Sequence, residues 1–101
     1  FVLVKRQHEV DAIIESENTT FVIEAKVIQK QGMISNLKYW IPKLLSVAKE
    51  LPLERITCVI AVACLGEVNA EEERNNLKGI TFDSGDVPLQ VIIYSESELL
   101  K

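Results

Sequence analysis

The 101-residue chain is predicted to be an α/β domain with a mixed central β-sheet flanked by helices. The nearly unbroken apolar run over residues 55–65, "RITCVIAVACL", is typical of a strand covered on both faces in a partly parallel sheet. Two shorter apolar runs joined by "SENT" predict a hairpin. Apolar residues at helical spacing from Met33 to Leu51 predict a long helix after it. The predicted order is β-β-β-α-β-α-β-α, in one domain over residues 1–101, because compact domains rarely divide below about 200 residues.

The first three strands are predicted from β-branched and apolar runs. They cover residues 1–5, 9–15 and 20–28. If Glu17 and Asn18 form a two-residue turn, Asp11 lies opposite Glu24 on the neighbouring strand. Side chains alternate along a strand, so Glu24 and Lys26 share one face.

The remaining elements carry helix start and stop signals. Pro42 lies inside the long helix, so we expect a kink there or a division into two helices. Asn69 as a cap and Gly79 as a stop bound a short helix. A strand over residues 87–95 follows, and Ser95 with Glu98 forms a capping box that opens a terminal helix.

Composition and charge narrow the function classes only slightly. No apolar run reaches the roughly 18 to 20 residues that span a bilayer, and no signal segment is present, so we expect a cytoplasmic globular protein without a membrane partner. Cys58 and Cys64 are predicted to be small buried hydrophobic residues rather than a disulfide or zinc ligands. The net charge of −4 argues mildly against a nucleic-acid partner.

The charge is nevertheless unevenly distributed. Residues 1–50 hold seven Lys and Arg against six Asp and Glu, whereas residues 51–101 hold four against nine. The acids of "AEEER" are predicted to form a solvated helix face. Lys38 and Lys43 on the long helix are either solvent-facing or in contact with phosphate, and Tyr39 either stacks on a base or rests half-buried. Trp40 is predicted to belong to the core.

The predicted hairpin places two carboxylates, Asp11 and Glu24, side by side, an arrangement that sheets normally avoid because like charges repel. A divalent cation removes this conflict, and Mg²⁺ needs only one or two carboxylates besides water and phosphate. Lys26 projects from the same face and could assist an attacking water or stabilise charge on phosphate oxygens. The alternative is an amphipathic hairpin with an ion-paired, solvated face.

Asp11, twelve intervening residues and then Glu24-Ala25-Lys26 resemble the signature of the PD-(D/E)XK nuclease superfamily, which has the restriction-endonuclease-like fold. The resemblance covers roughly the first two thirds of the chain and implies a Mg²⁺-dependent (or Mn²⁺-dependent) endonuclease acting on DNA. It implies Asp11, Glu24 and Lys26 as catalytic residues, and Asp11, Glu24 and the Ala25 carbonyl as metal ligands. It also implies a homodimer in many members and no small-molecule cofactor.

The chain departs from the family pattern in three respects. Val10 replaces the proline before the aspartate, and the Gln-x-x-x-Tyr pattern of some relatives is missing because Ser35 stands four positions before Tyr39. The leading helix of the family either precedes Phe1 or is lacking in this member.

Further nucleic-acid contacts are expected from a small set of polar side chains. They are Arg6, His8, Gln31 and Lys38. Two other functions stay open, namely a catalytically inactive nuclease-fold domain that binds DNA or protein, and an unrelated α/β domain with a charged hairpin.

Overall fold

The computed structural model describes residues 2–3, 11–51 and 55–99. In these ranges the elements follow the predicted order. They are β1 (Val2–Leu3), β2 (Ala12–Glu15), β3 (Thr20–Ile28), a 3₁₀ turn (Met33–Asn36), α1 (Leu37–Glu50), β4 (Ile56–Cys64), α2 (Ala70–Lys78), β5 (Leu89–Ser95) and α3 (Glu96–Leu99). None of the described helices has the length and apolar character needed to cross a bilayer.

The strands form one mixed sheet in the order β1-β2-β3-β4-β5. β1 pairs with β2 and β2 with β3 in antiparallel fashion, while β3, β4 and β5 run parallel. The parallel strands need crossover connections, which α1 and α2 provide. The prediction of an α/β domain with a mixed central sheet is therefore confirmed.

The β2–β3 hairpin has the predicted register. Ala12 pairs with Ile23, and the ladder continues to Glu15 opposite Thr20. The Ser16 N–H donates to the Thr19 carbonyl at 2.9 Å, which leaves two residues for the turn. β3 covers the predicted range of residues 20–28.

The core lies between α1 and one face of the sheet. The buried apolar side chains of α1 form a stripe at helical spacing: Leu37, Ile41, Leu44, Leu45, Val47 and Ala48. They pack in one cluster with Val22 of β3 and with Cys58, Ile60, Val62 and Cys64 of β4. Burial of each such aliphatic side chain contributes about 1.5–3 kcal/mol. Both cysteines are buried and free, as predicted.

The second face of β4 is covered less than predicted. Along Thr57–Ala63, buried and half-buried side chains alternate, so only one face is fully buried. The steps from β3 to β4 and from β4 to β5 cross the sheet in the same direction. Because crossovers are right-handed, α1 and α2 fall on the same side. Nearly continuous apolar sequence was therefore insufficient to predict two covered faces.

The break in the long helix occurs earlier than predicted. The segment starts with the 3₁₀ turn, and α1 then runs from Leu37 to Glu50 with Pro42 inside it. Pro42 removes the hydrogen bond to the carbonyl of Lys38, which lies on the exposed first turn of α1 where water can solvate it. The helix therefore continues through Pro42.

Both predicted helix caps are confirmed. Asn69 Oδ1 accepts a hydrogen bond from the Glu72 N–H at 3.0 Å at the start of α2. At α3, Ser95 N–H donates to Glu98 Oε1 at 2.9 Å and Glu98 N–H donates to Ser95 Oγ at 3.1 Å. Each cap satisfies amide groups that the first turn of a helix leaves without a partner.

The prediction that all the acids of α2 form a solvated face is wrong. Glu71 and Glu72 are exposed, whereas Glu73 is fully buried. Its carboxylate accepts hydrogen bonds from the Gly32 N–H and from Gln31 Nε2, the latter at 3.1 Å. These contacts join α2 to the segment before α1, which is a tertiary relation that the charge pattern of α2 does not reveal.

Candidate active site

The predicted site lies at the amino end of β2, beside the middle of β3. The regular ladder ends with Ala12 opposite Ile23, and the Asp11 N–H donates to the Ile23 carbonyl at 3.1 Å. Asp11 Oδ2 accepts a hydrogen bond from the Ala25 N–H at 2.7 Å. A side-chain oxygen therefore takes the place of a strand carbonyl, and this bond holds the Asp11 carboxylate beside β3.

Glu24 extends from the α1-covered face of β3 and hydrogen-bonds to Asp11. Partial burial, this hydrogen bond and the negative charge of Asp11 raise the pKa of Glu24 to about 7, against the opposing charges of Lys26 and Lys43. Glu24 therefore keeps its proton to a higher pH than an ordinary glutamate does. We call Asp11 and Glu24 the carboxylate pair, and its two members lie next to each other as the sequence predicted.

Lys26 lies on the same face as Glu24, two residues further along β3. Its ammonium group sits over the ring of Trp40 in α1, 5.5 Å from the ring centroid. A cation at this distance is attracted to the negative face of an indole. Trp40 is half-buried against the core, as expected, and in addition it holds the amine of Lys26 close to the carboxylate pair.

α1 contributes a second cation to the site. The positive charge of Lys43 favours the ionised form of Glu24 and so opposes the rise of its pKa. The sequence predicts that Lys43 is either solvent-facing or in contact with phosphate. Its spacing was the available signal, because Lys43 follows Trp40 by three residues and therefore lies on the same side of the helix.

Gln31 lies outside this group and contacts α2. Its Nε2 donates to the carbonyl of Asn69 at 3.3 Å as well as to Glu73, and its Oε1 accepts from the Asn69 N–H at 2.8 Å. Both ends of the amide are thus engaged within the protein. The proposed nucleic-acid contact through Gln31 gains no support from these bonds.

The other predicted nucleic-acid contacts are differently placed. Lys38 is exposed at the start of α1, with its ammonium 5.2 Å from the ring centroid of Tyr39. Arg6 and His8 lie outside the described residues.

A groove of about 620 Å³ opens at the amino ends of the parallel strands, between residues of the β2–β3 turn, α1 and the segment before β5. Lys49, Arg55 and Asp86 are its charged lining residues. Of the predicted site residues that the structure describes, none lines it, so this concavity is separate from the carboxylate pair.

The donor set of the carboxylate pair fits a hard cation. Two carboxyl groups that share a hydrogen bond occupy positions where a cation could relieve their repulsion in place of the proton. Carboxylate oxygens suit Mg²⁺, which retains several waters and needs few protein ligands. Within residues 11–51 and 55–99, no group of three or more His, Cys, Asp or Glu side chains is arranged to hold a metal. The fit therefore depends on two side chains and the neighbouring backbone.

Comparison of the chain with known protein families, curated proteins and solved structures finds no match. The function must therefore be inferred from the chemistry of the site. That chemistry consists of two adjacent carboxyl groups, one of them exposed, with the positive charges of Lys26 and Lys43 nearby.

Proposed function

We propose that this chain is a metal-dependent nuclease of the PD-(D/E)XK type, which hydrolyses phosphodiester bonds in DNA. The observation that carries the proposal is the hydrogen-bonded carboxylate pair with Lys26 on the same side of the hairpin. The order of a hairpin, a helix and a parallel strand beside it supports a restriction-endonuclease-like core. An arbitrary surface hairpin would have no reason to bring two carboxylates together.

In this proposal Asp11 and Glu24 hold Mg²⁺ or Mn²⁺, and the carbonyl of Ala25 is the third ligand. The bound ion supplies positive charge to the phosphate and polarises the attacking water. The Ala25 N–H fixes Asp11 through the 2.7 Å hydrogen bond, so the carboxylate is oriented before the ion arrives. Such orientation reduces the rearrangement that binding requires.

The two lysines act on the substrate phosphate. Lys26 Nζ, held over Trp40, stabilises the negative charge that develops on the phosphate oxygens and donates a hydrogen bond there. Lys43 adds a second positive charge from α1 and helps to position the strand that enters the site. Both amines compensate the charge of a substrate that would otherwise be repelled by the carboxylate pair.

Cleavage of fluorescently labelled DNA in Mg²⁺, both as a duplex and as a duplex with a single-stranded overhang, tests the proposal. We expect Asp11→Asn and Lys26→Ala to reduce the rate by at least about 100-fold, the magnitude that the loss of one charge-stabilising group produces. Lys49→Ala is the matched control, since this exposed lysine lies at the far end of α1 and borders the separate groove. Unchanged cleavage by Asp11→Asn, in a variant whose circular dichroism matches the parent, would refute the assignment.

A nuclease-fold domain that binds DNA or protein without hydrolysis is the second candidate. The small donor set favours it, because across the described parts of the chain no third acidic side chain joins the carboxylate pair in a metal-ligating group. Calorimetric titration separates the two functions. Binding of Mg²⁺ or Mn²⁺ at millimolar concentration supports the nuclease, and its failure supports the binding module.

A further inference from the structure

The start of α1 presents an exposed aromatic ring. Tyr39 is 67% exposed, more than Val27, Phe82 or Leu99, the other exposed large hydrophobic residues of the described chain. The alternative that this tyrosine rests half-buried is therefore wrong. The ammonium of Lys38 lies 5.2 Å from the centroid of the ring, so one cation accompanies the aromatic surface.

This ring is close to the proposed catalytic groups. Tyr39 and Lys43 are four residues apart in α1, so they are neighbours on one helix surface, about 6 Å apart along the axis. Lys43 acts on Glu24, and the residue next to Tyr39, Trp40, contacts Lys26. One helical turn therefore connects the exposed ring with the cations beside the carboxylate pair.

The charge of the surrounding segment suits a polyanion. Residues 25–49 contain five lysines and no Asp or Glu, whereas the rest of the chain has six Lys and Arg against fifteen Asp and Glu, a balance of 6 − 15 = −9. We call residues 25–49 the lysine stretch. Two of these lysines, Lys26 and Lys43, act on Glu24, and their charge opposes the repulsion of a nucleic acid by the acidic remainder of the chain.

We infer that Tyr39 stacks on an unpaired base of a nucleic-acid strand whose phosphates contact Lys43 and Lys26, so that the substrate carries single-stranded nucleotides next to the cleaved bond. This inference rests on the proposed function. A base within a duplex is covered on both faces by its neighbours, whereas an unpaired base has a free face for a protein ring. Tyr39 stays 67% exposed with the Lys38 ammonium 5.2 Å from its ring centroid, so ring surface remains for a base.

Binding to a labelled single-stranded oligonucleotide and to the duplex of the same sequence tests the inference. Fluorescence anisotropy of the 101-residue chain in EDTA measures affinity without hydrolysis. We expect Tyr39→Ala to weaken single-strand binding about tenfold, in line with the loss of one base–aromatic stack, and to leave duplex binding within about twofold. Tyr39→Phe should keep the parent affinity, because stacking requires the ring and not the hydroxyl.

Phe82→Ala is the matched control, since Phe82 is another exposed aromatic residue, 40% accessible and outside the lysine stretch. It should leave both affinities unchanged. Equal single-strand affinity for Tyr39→Ala and the parent would overturn the inference, and so would an equal loss of affinity on both substrates. If Tyr39→Ala selectively loses single-strand binding while the parent cleaves nothing in Mg²⁺, the stacking surface stands and the nuclease proposal fails.

Discussion

Glu24 does not behave as an ordinary surface acid. Water stabilises the ionised form of an exposed glutamate. Glu24 is partly buried beside Asp11, so its ionised form is less stable and its pKa rises to about 7. Sheets seldom keep two carboxylates together. The pair therefore reduces stability at neutral pH, which is typical of sites retained for function rather than for folding.

Replacement of Glu24 by Gln tests this interpretation. In the folded state the pKa is raised from 4.5 to about 7, so between these values the folded protein keeps a proton that the unfolded chain releases. The contribution of Glu24 to the free energy of unfolding is fully present below pH 4.5 and is lost as the pH rises through about 7. Urea unfolding should show Glu24→Gln to be more stable than the parent at pH 8, with a smaller advantage at pH 5.

Glu17→Gln serves as the control, because Glu17 is exposed in the hairpin turn. It should leave the difference in unfolding free energy between pH 5 and pH 8 as it is in the parent. A parent-like pH dependence in Glu24→Gln would contradict the explanation.

Metal binding at the carboxylate pair should stabilise the folded chain. A ligand that binds only the folded state at 100 times its Kd adds about 2.7 kcal/mol to the free energy of unfolding. We expect Mg²⁺ to raise the Tm of the parent at pH 8 and to have little effect on Asp11→Asn. Equal shifts of Tm in the parent and in Asp11→Asn would show that the ion binds elsewhere.

α2 is joined to the segment before α1 by hydrogen bonds to its buried Glu73. Glu73 is fully buried and accepts hydrogen bonds from Gln31, Gly32 and Asn76. These bonds fix the start of α2 beside the segment that leads into α1. Since α1 carries Trp40 and Lys43, the contact indirectly sets the position of two groups near the candidate site.

Removal of this anchor should destabilise the whole fold. Glu73→Ala removes the acceptor of the Gly32 N–H and one of the two acceptors of Gln31 Nε2, and each lost hydrogen bond costs about 0.5–1.5 kcal/mol. Glu72→Ala is the matched control, because the neighbouring Glu72 is exposed and such changes stay within about 0.5 kcal/mol. Urea unfolding at pH 7 gives the free energy of unfolding of both variants. Similar losses in the two would rule out a stabilising role for the hydrogen bonds of Glu73.

Charge across the entire chain separates into a basic region and an acidic remainder, although the sum is only −4. Lys26 on β3 and Lys43 on α1 act on Glu24, and Lys38 lies at the start of α1, whereas Lys49 lies at the far end of that helix. The proposed binding of nucleic acid by a chain with a pI of about 5.0 would depend on this local excess of lysine.

The salt dependence of single-strand binding should show how many lysines contact phosphates. If Lys26, Lys38 and Lys43 each neutralise one phosphate of a single strand, log K should fall with log salt with a slope of about −2. Lys43→Ala should reduce the slope to about −1.4, whereas Lys49→Ala should leave it unchanged. Anisotropy titrations over a series of salt concentrations give these slopes, and a slope near zero in the parent would exclude phosphate contacts.

Local patterns predicted most of the sheet and the position of the carboxylate pair. Strand alternation and the two-residue turn were sufficient to place Asp11 beside Glu24, because hairpin register follows from turn length. They were insufficient for Lys43 and Glu73, whose environments depend on how helices distant in sequence pack. The predicted division of the helix at Pro42 was wrong, because the effect of a proline depends on whether water can solvate the carbonyl four residues earlier.

The hydrogen bond from the Ala25 amide to Asp11 has a practical value beyond structure. A backbone amide proton that is hydrogen-bonded to a carboxylate oxygen senses every change of charge on that oxygen, so its NMR resonance reports the state of the carboxylate pair. Acid, a divalent ion or a nucleotide phosphate that reaches Asp11 would each move this one signal, and a chemist could follow the three events without attaching any probe.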